Sequence, residues 1–585
     1  MYKESNLSKL RAKMKEDGLK AYTIVTGDPH DSEEPAGFYG AERKYFCPFT
    51  GDNAIVLITQ DETLVWTDGR FFISAEQELA GTSFKLMKVA TPGYPSFEEY
   101  VQTNNLYPLG TNFLMVSPEA IDGFKGKNGK VVDCDYSSLV EDRPPLSESP
   151  LWRFDDPKYN DATSEEKVAI VLQSMKEYGA DAHLVTTLDD IAWLTNLRGD
   201  DVNCTPVFYS YLYMSYEEGV HLFVNPKRIA FDLSDITVHP YEEIDEFLKE
   251  RADIPTLVDP DKCNAHAYDI LKKPVNHRAP SNLLKAVKGE KEIENIISIQ
   301  EEDGVALLKF MLFLKKNKDN KELTEWDYAE VLQGFRGENP RYIGDSFTTI
   351  AAYGPNAAMM HYAPTEEVNA KVDGTCIELL VDSGGQYLGG TTDTTRTFAI
   401  GELTDEYIHD YTLTLKSVIA LSRAIFLHGT SGVCLDYAAR EIMWREGMDY
   451  KCGTGHGVSY VGPVHEGPNG FRYRTMPGKD DGAINVPGMV TTVEPGVYKA
   501  GKYGIRIENN LLTIPAFETS DGQFYKFQTI TYVPIETRAL DLALLSQEEI
   551  DWLNAYHKDV YDRLSKRVDG ELLAYLEEVT KPIQK

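Results

Sequence analysis

The sequence predicts a mixed α/β (α+β) protein with a duplicated N-terminal α/β domain and a larger C-terminal domain that contains clustered acidic residues. Two observations favour this fold class. A helix followed by strands occurs twice in the first half of the chain, and the second half combines long amphipathic helices with short, glycine-rich β segments. The length of 585 residues also exceeds what one hydrophobic core supports, and three domains of ordinary size account for it.

The duplicated domain is visible as a repeat with an offset of 161 positions. Each copy begins with an amphipathic helix that ends at a glycine, Gly18 or Gly179, and is followed by a strand. Further along, FTGDNAIVLI at 49–58 is matched by LRGDDVNCTPVFYS at 197–210. The apolar helix positions that correspond are Leu7, Leu10 and Met14 in the first copy and Val168, Val171 and Met175 in the second.

Proline-rich linkers indicate the domain boundaries. EDRPPLSESPLW at 141–152 and FDDPKYNDATSEE at 154–166 separate the two copies, and KKPVNHRAPSN at 272–282 follows the second. We therefore predict domains at residues 1–158, 159–283 and 284–585.

The third domain is predicted to begin with a long helix. From Gly289 the sequence GEKEIENIISIQEEDGVALLKFMLFLKKN has apolar residues at helical spacing and an acidic first turn, which suits the helix dipole. The next helix begins at Thr324, and Asp327 completes the pattern of a capping box.

Two aspartates stand in the glycine-rich stretch VDSGGQYLGGTTDTTRT, at 381–397. Asp382 follows an apolar run, and strand periodicity places Asp393 on one face with Thr391 and Thr395. The glycine pairs between the aspartates predict a hairpin or tight return that brings them together. Adjacent carboxylates repel each other unless a proton or cation lies between them. Two solvated turn aspartates are the alternative if this stretch is taken alone.

Three further candidate ligands follow downstream: His456 in GTGHG, Glu494 in TTVEPGVY and Glu508 in GIRIENN. Four carboxylates and one imidazole suit a pair of Mn, Co, Fe or Zn ions better than a structural zinc site. Two metals about 3.5–4 Å apart can share a hydroxide and lower the pKa of water from 15.7 toward about 7. This set of residues therefore indicates a hydrolase.

The order of these five residues, in DSGGQY, TTDTTRT, GTGHG, VEPG and RIEN, resembles the pita-bread metallopeptidases, and most closely the long three-domain Xaa-Pro aminopeptidases. TDGRFF, LDDIAWLTNLRGDDVNCTPVFYSY, YGPNAAMMHYAP and DWLNAYH extend the resemblance over nearly the whole chain. The resemblance implies two creatinase-like N-terminal α/β domains and a C-terminal pita-bread metallopeptidase domain with a helical tail.

The resemblance also implies roles for the five residues. Asp382, Asp393, His456, Glu494 and Glu508 would bind two divalent metal ions, with Asp393 and Glu508 bridging both. Glu494 would in addition take a proton from the bridging water and pass it to the leaving proline nitrogen. Manganese is the expected metal, with cobalt or zinc as alternatives.

Two further histidines match active-site positions of the family. His361 in YGPNAAMMHYAP and His465 in VHEGP would lie near the metals and donate to the scissile carbonyl or contact the proline. A packed or exposed histidine without chemistry is the alternative for each. The sequence departs from the family at Cys452, where CGTGH replaces HGTGH, and in a longer segment after His465 that contains the polar loop GKDDG at 478–482.

Three other residues have supporting roles by resemblance. Arg506 and Tyr498 would orient Asp382, as hydrogen-bonded neighbours of metal carboxylates do. Arg70 in TDGRFF would contact substrate or another domain, and a surface arginine at a turn is the alternative.

The implied activity is removal of the N-terminal residue from peptides with proline at position two, by a metal-bridging hydroxide. One alternative is prolidase, an Xaa-Pro dipeptidase, but prolidases usually have a single N-terminal domain. A second is methionine aminopeptidase, which is far shorter. The third is a non-catalytic pita-bread module that binds peptides or histones, or a metal-free hydrolase of this fold; such proteins typically lose ligands, and all five are present here.

Composition restricts partners and location. The net charge of −33 argues against nucleic acid and against anionic membrane surfaces. Seven scattered cysteines without a CxxC pair fit a reducing compartment. The N-terminus lacks a signal-peptide core and no apolar run approaches 18 residues, so the expected location is cytoplasmic. A homodimer is expected by resemblance.

Overall fold

The computed structural model describes residues 2–233, 235–475 and 482–585. Most of the polar loop predicted at 478–482 lies outside these described residues. The chain divides into two compact units. The first contains Met1–Pro157 and Ala162–Asn282, and the second contains Lys158–Asp161 and Leu283–Lys585.

The described part of the first unit is built from short helices, two six-stranded sheets and the two-stranded sheet β7-β9. Its helices are α1 (Glu4–Glu16), α2 (Gly37–Phe46), α3 (Phe72–Glu78), α4 (Phe97–Thr103), α5 (Pro118–Lys125), α6 (Ser164–Glu177), α7 (Leu188–Thr195), α8 (Ile244–Glu250), α9 (Ala265–Ile270) and α10 (Pro280–Ala286), the last extending past residue 282. Its strands are β1 (Ala21–Val25), β2 (Ile55–Thr59), β3 (Thr63–Thr67), β4 (Phe84–Lys88), β5 (Leu109–Thr111), β6 (Val131–Asp133), β7 (Trp152–Arg153), β8 (Ala182–Val185), β9 (Leu197–Arg198), β10 (Tyr211–Ser215), β11 (Gly219–Phe223), β12 (Ile236–His239), β13 (Thr256–Val258) and β14 (Pro274–Asn276).

The two six-stranded sheets of the first unit have the same topology. Their strand orders are β4-β3-β2-β1-β5-β6 and β12-β11-β10-β8-β13-β14. In each sheet three antiparallel strands are flanked by strands that pair in parallel. Helix α1 precedes β1 as α6 precedes β8, so the predicted duplication is confirmed.

The repeated helices end for the same local reason. Gly18 and Gly179 follow α1 and α6 with φ of 71° and 75°, a left-handed conformation that glycine adopts without steric cost. The apolar residues predicted to face inward, such as Leu10 and Met175, are fully buried. Helix α6 also begins with a capping box between Thr163 and Glu166.

Among its described residues, the second unit combines long helices with four sheets of two to six strands. Its helices are α11 (Glu290–Lys316), α12 (Glu325–Gly337), α13 (Asp405–Ser422), α14 (Gly432–Arg445), α15 (Gln547–Leu564) and α16 (Gly570–Val579). Its strands are β15 (Tyr342–Asp345), β16 (Ile350–Tyr353), β17 (Glu378–Ser383), β18 (Gly385–Tyr387), β19 (Gly390–Thr391), β20 (Thr394–Ala399), β21 (Ile425–Leu427), β22 (Gly455–Gly457), β23 (Glu466–Phe471), β24 (Val490–Val493), β25 (Gly496–Lys499), β26 (Tyr503–Arg506), β27 (Asn509–Thr519) and β28 (Gly522–Thr529).

The sheets of the second unit hold the candidate ligands. Their orders are β15-β18-β19, β16-β17-β20, β21-β28-β27-β24-β22-β23 and β25-β26. A large hydrophobic core packs three of these sheets, all except β15-β18-β19, against the helices, with contributions from Phe310 of α11, Tyr411 of α13 and Leu553 of α15. The predicted capping box of α12 is present, since the Asp327 backbone N–H donates to Thr324 Oγ1 at 3.2 Å.

The seven cysteines are all free thiols, as expected from their scattered positions. None of the described helices combines the length and the apolar composition needed to span a membrane.

A buried histidine links the two sheets of the first unit. His30 is 1% exposed, and its Nδ1 lies 2.7 Å from the Thr186 carbonyl oxygen, which can only accept a hydrogen bond. Nδ1 therefore carries the proton, and Nε2 accepts from the Tyr241 hydroxyl at 2.8 Å. Burial lowers the pKa of His30 to about 4, because a charged imidazole would lose its hydration there.

This lowered pKa predicts a loss of stability in acid. The folded-state pKa lies below the ordinary value of 6.5, so the unfolded chain takes up the proton first, and stability present above pH 6.5 is lost as the pH falls toward 4. We expect His30 to account for about 2–3 kcal/mol of the loss between pH 7.5 and 4.5. Urea unfolding of wild type and His30→Gln at both pH values measures it. Equal pH dependence in the two proteins would contradict the prediction.

Candidate active site

Two paired strands position the two aspartates. Strand β17 runs antiparallel to β20, and their register places Asp382 opposite Thr395. Asp393 lies immediately before β20, so the chain between the strands returns it toward Asp382. The strand predicted through Asp393 is interrupted, because β19 ends at Thr391 and β20 begins at Thr394. The return requires glycine, since a Cβ on Gly384 would lie 1.9 Å from the Thr392 carbonyl oxygen.

Three of the predicted ligands form one compact group. Asp393, His456 and Glu508 each offer a ligand atom, and these atoms all lie within 4.8 Å of one another. Glu494 adjoins the group through the same imidazole. His456 Nε2 lies 3.4 Å from Asp393 Oδ2 and 3.4 Å from Glu494 Oε1. Strand β22 carries His456, and Glu494 directly follows β24, the strand beside it in the sheet.

Asp382 is oriented from one side by Arg506. The guanidinium donates to Asp382 Oδ2 from Nη2 at 2.5 Å and from Nε at 3.2 Å. Its Nη1 donates to the Tyr498 hydroxyl at 2.8 Å, so both residues expected to orient Asp382 lie in one chain of hydrogen bonds. Asp382 Oδ1 is buried and accepts no hydrogen bond from the described residues. That oxygen is suitably placed for a cation.

Glu508 is the most enclosed member of the set. It is 1% exposed, and its Oε2 accepts a hydrogen bond from Thr395 Oγ1 at 2.8 Å. Its backbone is held as well, because the Glu508 N–H donates to the Thr395 carbonyl oxygen and Arg396 Nη1 donates to the Glu508 carbonyl oxygen. Strand β20 therefore positions Asp393 and Glu508 together.

The electrostatics of the group favour a bound cation. Burial raises the pKa of Asp393, and Asp382 and Glu494 raise it further, although His456 lowers it. Burial also raises the pKa of Glu508 well above its ordinary value, with Asp393 as the next cause. For His456 burial opposes the charge, but Asp393 and Glu494 outweigh it and raise the pKa to about 9. Buried like charges raise one another's energy, and divalent cations relieve this.

The two additional histidines lie in different relations to the group. The His465 ring meets the His456 ring edge-on, with centroids 4.2 Å apart and planes at 80°. His361 follows Met360, whose carbonyl oxygen accepts a hydrogen bond from Arg506 Nη2 at 3.4 Å. His465 is therefore in direct contact with the group, and His361 directly follows a residue whose carbonyl oxygen is held by Arg506.

Two other predicted positions, Arg70 and Cys452, have their described contacts outside the set of five candidate ligands. Arg70 belongs to the first unit, where its guanidinium donates to Asp68 at 2.9 and 2.8 Å. Cys452 packs beside an apolar cluster that includes Met443 and Tyr450, and its carbonyl oxygen accepts from Arg440 Nη2 at 3.0 Å. Its thiol is not a member of the three-ligand group.

Sequence reasoning missed two buried charges near the aspartates, Asp303 and Arg336, which form an ion pair at 2.7 Å. A signal was available, since Asp303 falls on the apolar stripe of α11 between Ile299 and Leu307. A charge on a stripe that faces the core needs a buried partner.

It also missed Glu378, which is fully buried on β17. Its Oε1 accepts from the Gly504 N–H, while its Oε2 accepts no hydrogen bond from the described residues. Burial raises the pKa of Glu378 to about 9.

Comparison with known families covers nearly the whole chain. Residues 294–514 match metallopeptidase family M24, and residues 523–583 match the C-terminal region of that peptidase family. Residues 6–142 and residues 142–292 each match a creatinase/prolidase N-terminal domain. The fold class predicted from the sequence is confirmed.

Individual relatives match over their full lengths. Xaa-Pro aminopeptidase 1 of Dictyostelium discoideum is 33% identical, with 99% of this chain and 96% of the relative covered. A crystal structure of the X-prolyl aminopeptidase of Caenorhabditis elegans, described as a cytosolic enzyme with a di-nuclear active site, is 31% identical and covers 99% of both chains with a TM-score of 0.92. A Thermococcus sibiricus prolidase shares the fold at 22% identity and a TM-score of 0.51, covering 64% of this chain and 99% of its own.

The raised pKa of Glu508 predicts that replacing this residue raises the Tm of the metal-free protein but weakens its stabilisation by metal. Without metal, a carboxylate whose folded pKa is raised costs stability increasingly as the pH rises above 4.5. We therefore expect Glu508→Gln to raise the Tm of chelator-treated protein at pH 7.5 by about 2 °C or more, and to reduce the Tm gain that Mn²⁺ produces in wild type. Differential scanning calorimetry with EDTA and with Mn²⁺ measures both effects.

Glu378→Gln is the matched control. Its pKa of about 9 represents a cost of about 4 kcal/mol at pH 7.5 that the amide removes. We expect this variant also to raise the Tm under EDTA, but to keep the full gain on adding Mn²⁺. The assignment of Glu508 as a ligand is wrong if both variants keep that gain.

Proposed function

Because this chain belongs to metallopeptidase family M24, we propose that it is an Xaa-Pro aminopeptidase, which hydrolyses the bond between an N-terminal residue and a proline at position two. The main support is the full-length agreement with an X-prolyl aminopeptidase structure. In addition, the ligand atoms of Asp393, His456 and Glu508 converge on one point. The protein is thus a hydrolase of the metallo-exopeptidase class.

The alternatives have less support. The prolidase structure covers 64% of this chain. This chain has two α/β sheets of the same topology before its catalytic domain, whereas a single N-terminal domain would supply one. A methionine aminopeptidase would leave both N-terminal domains unexplained. A binding module would not require the buried carboxylates that surround His456, because such a cluster costs stability when no cation is bound.

We propose that the site binds two divalent metal ions through Asp382, Asp393, His456, Glu494 and Glu508. The residues present fit such a centre, since Asp382 Oδ1 is buried without a hydrogen-bond partner in the described chain and the carboxylates lie around one imidazole. The ions would supply Lewis acidity and lower the pKa of water from 15.7 toward about 7. Oxygen-rich ligands favour Mn²⁺, and Co²⁺ and Zn²⁺ also suit this donor set.

The surrounding side chains divide the remaining tasks. The Glu494 side chain is 21% exposed, compared with 6% for Asp393, so it is the carboxylate more open to a substrate. We assign it the transfer of a proton from water to the departing proline nitrogen. His465, beside His456, and His361 would donate to the scissile carbonyl oxygen as negative charge develops. Arg506 and Tyr498 hold Asp382, near which the substrate's free amine would bind.

Further expectations complete the proposal. The domain boundaries remain our prediction of 1–158, 159–283 and 284–585, and the proposed location is cytoplasmic, as described for the nematode relative. Peptides are the expected partners, and Arg70 remains a candidate contact to substrate or to another domain.

We predict a homodimer formed through the catalytic domain, by analogy with the long Xaa-Pro aminopeptidases. The apolar stripe of α15 does not provide the interface, because Ile550, Leu553, Val560 and Leu564 are buried in the core of their own unit. Sedimentation velocity at micromolar concentration should show a species of twice the chain mass of 65.8 kDa. A monomer at that concentration would overturn this prediction.

Substrate length and the second residue test the activity. An aminopeptidase leaves the chain beyond proline free, and a rigid ring with φ near −65° fits a preformed slot. We expect Arg-Pro-Pro and longer Xaa-Pro peptides to be cleaved at the Xaa–Pro bond with Mn²⁺, EDTA to abolish cleavage, and N-terminal acetylation to block it. Asp393→Ala is the matched inactive control, and chromatography of the products measures cleavage.

Two results would change the proposal. Efficient cleavage of Arg-Pro with none of Arg-Pro-Pro would indicate a prolidase. Equal cleavage of Arg-Ala-Ala and Arg-Pro-Pro would remove the support for proline specificity.

A further inference from the structure

A buried ion pair lies behind the return that carries the two aspartates. Asp303 of α11 is 1% exposed and Arg336 of α12 is fully buried. Arg336 donates to Asp303 Oδ1 from Nε at 2.7 Å and to Oδ2 from Nη2 at 3.2 Å. The two groups therefore form a bidentate pair, which fixes the orientation of the carboxylate.

Three side chains of the return are attached to this pair. The Tyr387 hydroxyl donates to Asp303 Oδ1 at 2.7 Å, and Thr392 Oγ1 donates to Asp303 Oδ2 at 3.0 Å. Arg336 Nη2 also donates to Ser383 Oγ at 3.1 Å. We call these five residues the Asp303 network.

The network touches the chain directly beside each proposed aspartate ligand. Ser383 follows Asp382 and Thr392 precedes Asp393 in the sequence. Thr392 is held on several sides, because its Oγ1 also accepts from the Gly385 N–H at 2.9 Å and its carbonyl oxygen accepts from Ser346 Oγ at 2.8 Å. The buried ion pair therefore contacts both ends of the return, Arg336 through Ser383 and Asp303 through Thr392.

Stability alone is a weak explanation for this arrangement. A buried ion pair loses much of its Coulombic gain to desolvation, and apolar residues of similar volume often stabilise a core as well. Hydrogen bonds between this pair and three side chains of the return do restrict the backbone, although Arg336 Nη1 has no partner among the described residues. The restricted backbone here is the one from which Asp382 and Asp393 extend.

We propose that the Asp303 network positions Asp382 and Asp393 for metal binding, so that Asp303 and Arg336 are positioning residues of the metallopeptidase site. This inference rests on the proposed function. Arg506 orients the Asp382 carboxylate, whereas the Asp303 network sets the separation of the two aspartates through the backbone. Loosening the network should therefore weaken metal affinity more than it weakens the fold.

The test uses variants that leave the ion pair intact. Tyr387→Phe removes one hydrogen bond from the return to Asp303, and Thr392→Val removes another together with the contact to Gly385. Asp303→Asn would leave Arg336 without its counter-charge, and a folding failure would then obscure the result. Tyr342→Phe is the matched control, because Tyr342 lies in the same sheet, packs 5.5 Å from the Tyr387 ring and donates to Asp345 instead.

Calorimetric titration of full-length, chelator-stripped protein with Mn²⁺ is the primary readout. We expect the Kd for Mn²⁺ to rise about threefold in each single variant and about tenfold or more in Tyr387→Phe/Thr392→Val, with Tyr342→Phe unchanged. The Tm of the metal-free proteins should fall no further in the double variant than in the control, and excess Mn²⁺ should restore most of kcat with Arg-Pro-Pro.

Two outcomes would overturn the inference. An unchanged Kd with a lowered Tm would make the network purely structural, and a kcat that excess Mn²⁺ does not restore would place its effect outside metal binding. Failure of the proposed function is distinguishable. If wild type binds Mn²⁺ but cleaves no Xaa-Pro peptide, the proposed activity fails, and the Kd values of the variants still test the network. If wild type binds no Mn²⁺, both proposals are overturned.

Discussion

The second unit buries several carboxylates at one point, and its other elements must hold these like charges close together. Asp382, Asp393 and Glu508 are each 8% exposed or less, and their mutual repulsion raises the energy of the metal-free protein. The structure counters the repulsion with Arg506 on Asp382 and with the raised pKa of His456 beside Asp393. These contacts orient the carboxylates but leave the group with unsatisfied negative charge, which a pair of divalent cations would neutralise.

Rigid elements hold this unfavourable arrangement in place. Strand β20 supplies Thr395, which donates to the Glu508 side chain and pairs with Asp382 across the sheet. Helices α11 and α12 supply Asp303 and Arg336 behind the return between the aspartates. A site built on strands and helices keeps its geometry without a bound ligand, so metal binding need not pay the entropy of ordering a loop.

Local patterns predicted much of the fold and of the site. The repeat after 161 positions, the glycines that end α1 and α6, and the capping box of α12 are all properties of short segments. The residues near His456 were also predictable, because their order and sequence contexts resemble one family. The break in the strand between Thr391 and Thr394 was not predictable. Strand periodicity does not account for the close approach of Gly384 to the Thr392 carbonyl oxygen.

The sequence by itself determined the element types, the duplication, the family and the identity of the candidate ligands. Only the tertiary structure decided that Asp393, His456 and Glu508 form one compact group with Glu494 adjacent, that Asp382 turns one oxygen to Arg506, and that Asp303 lies behind both aspartates. The physical reason is separation along the chain. Propensity, capping and turns act over a few residues, whereas these contacts join residues between 38 and 124 positions apart, and packing of the whole unit sets their distances.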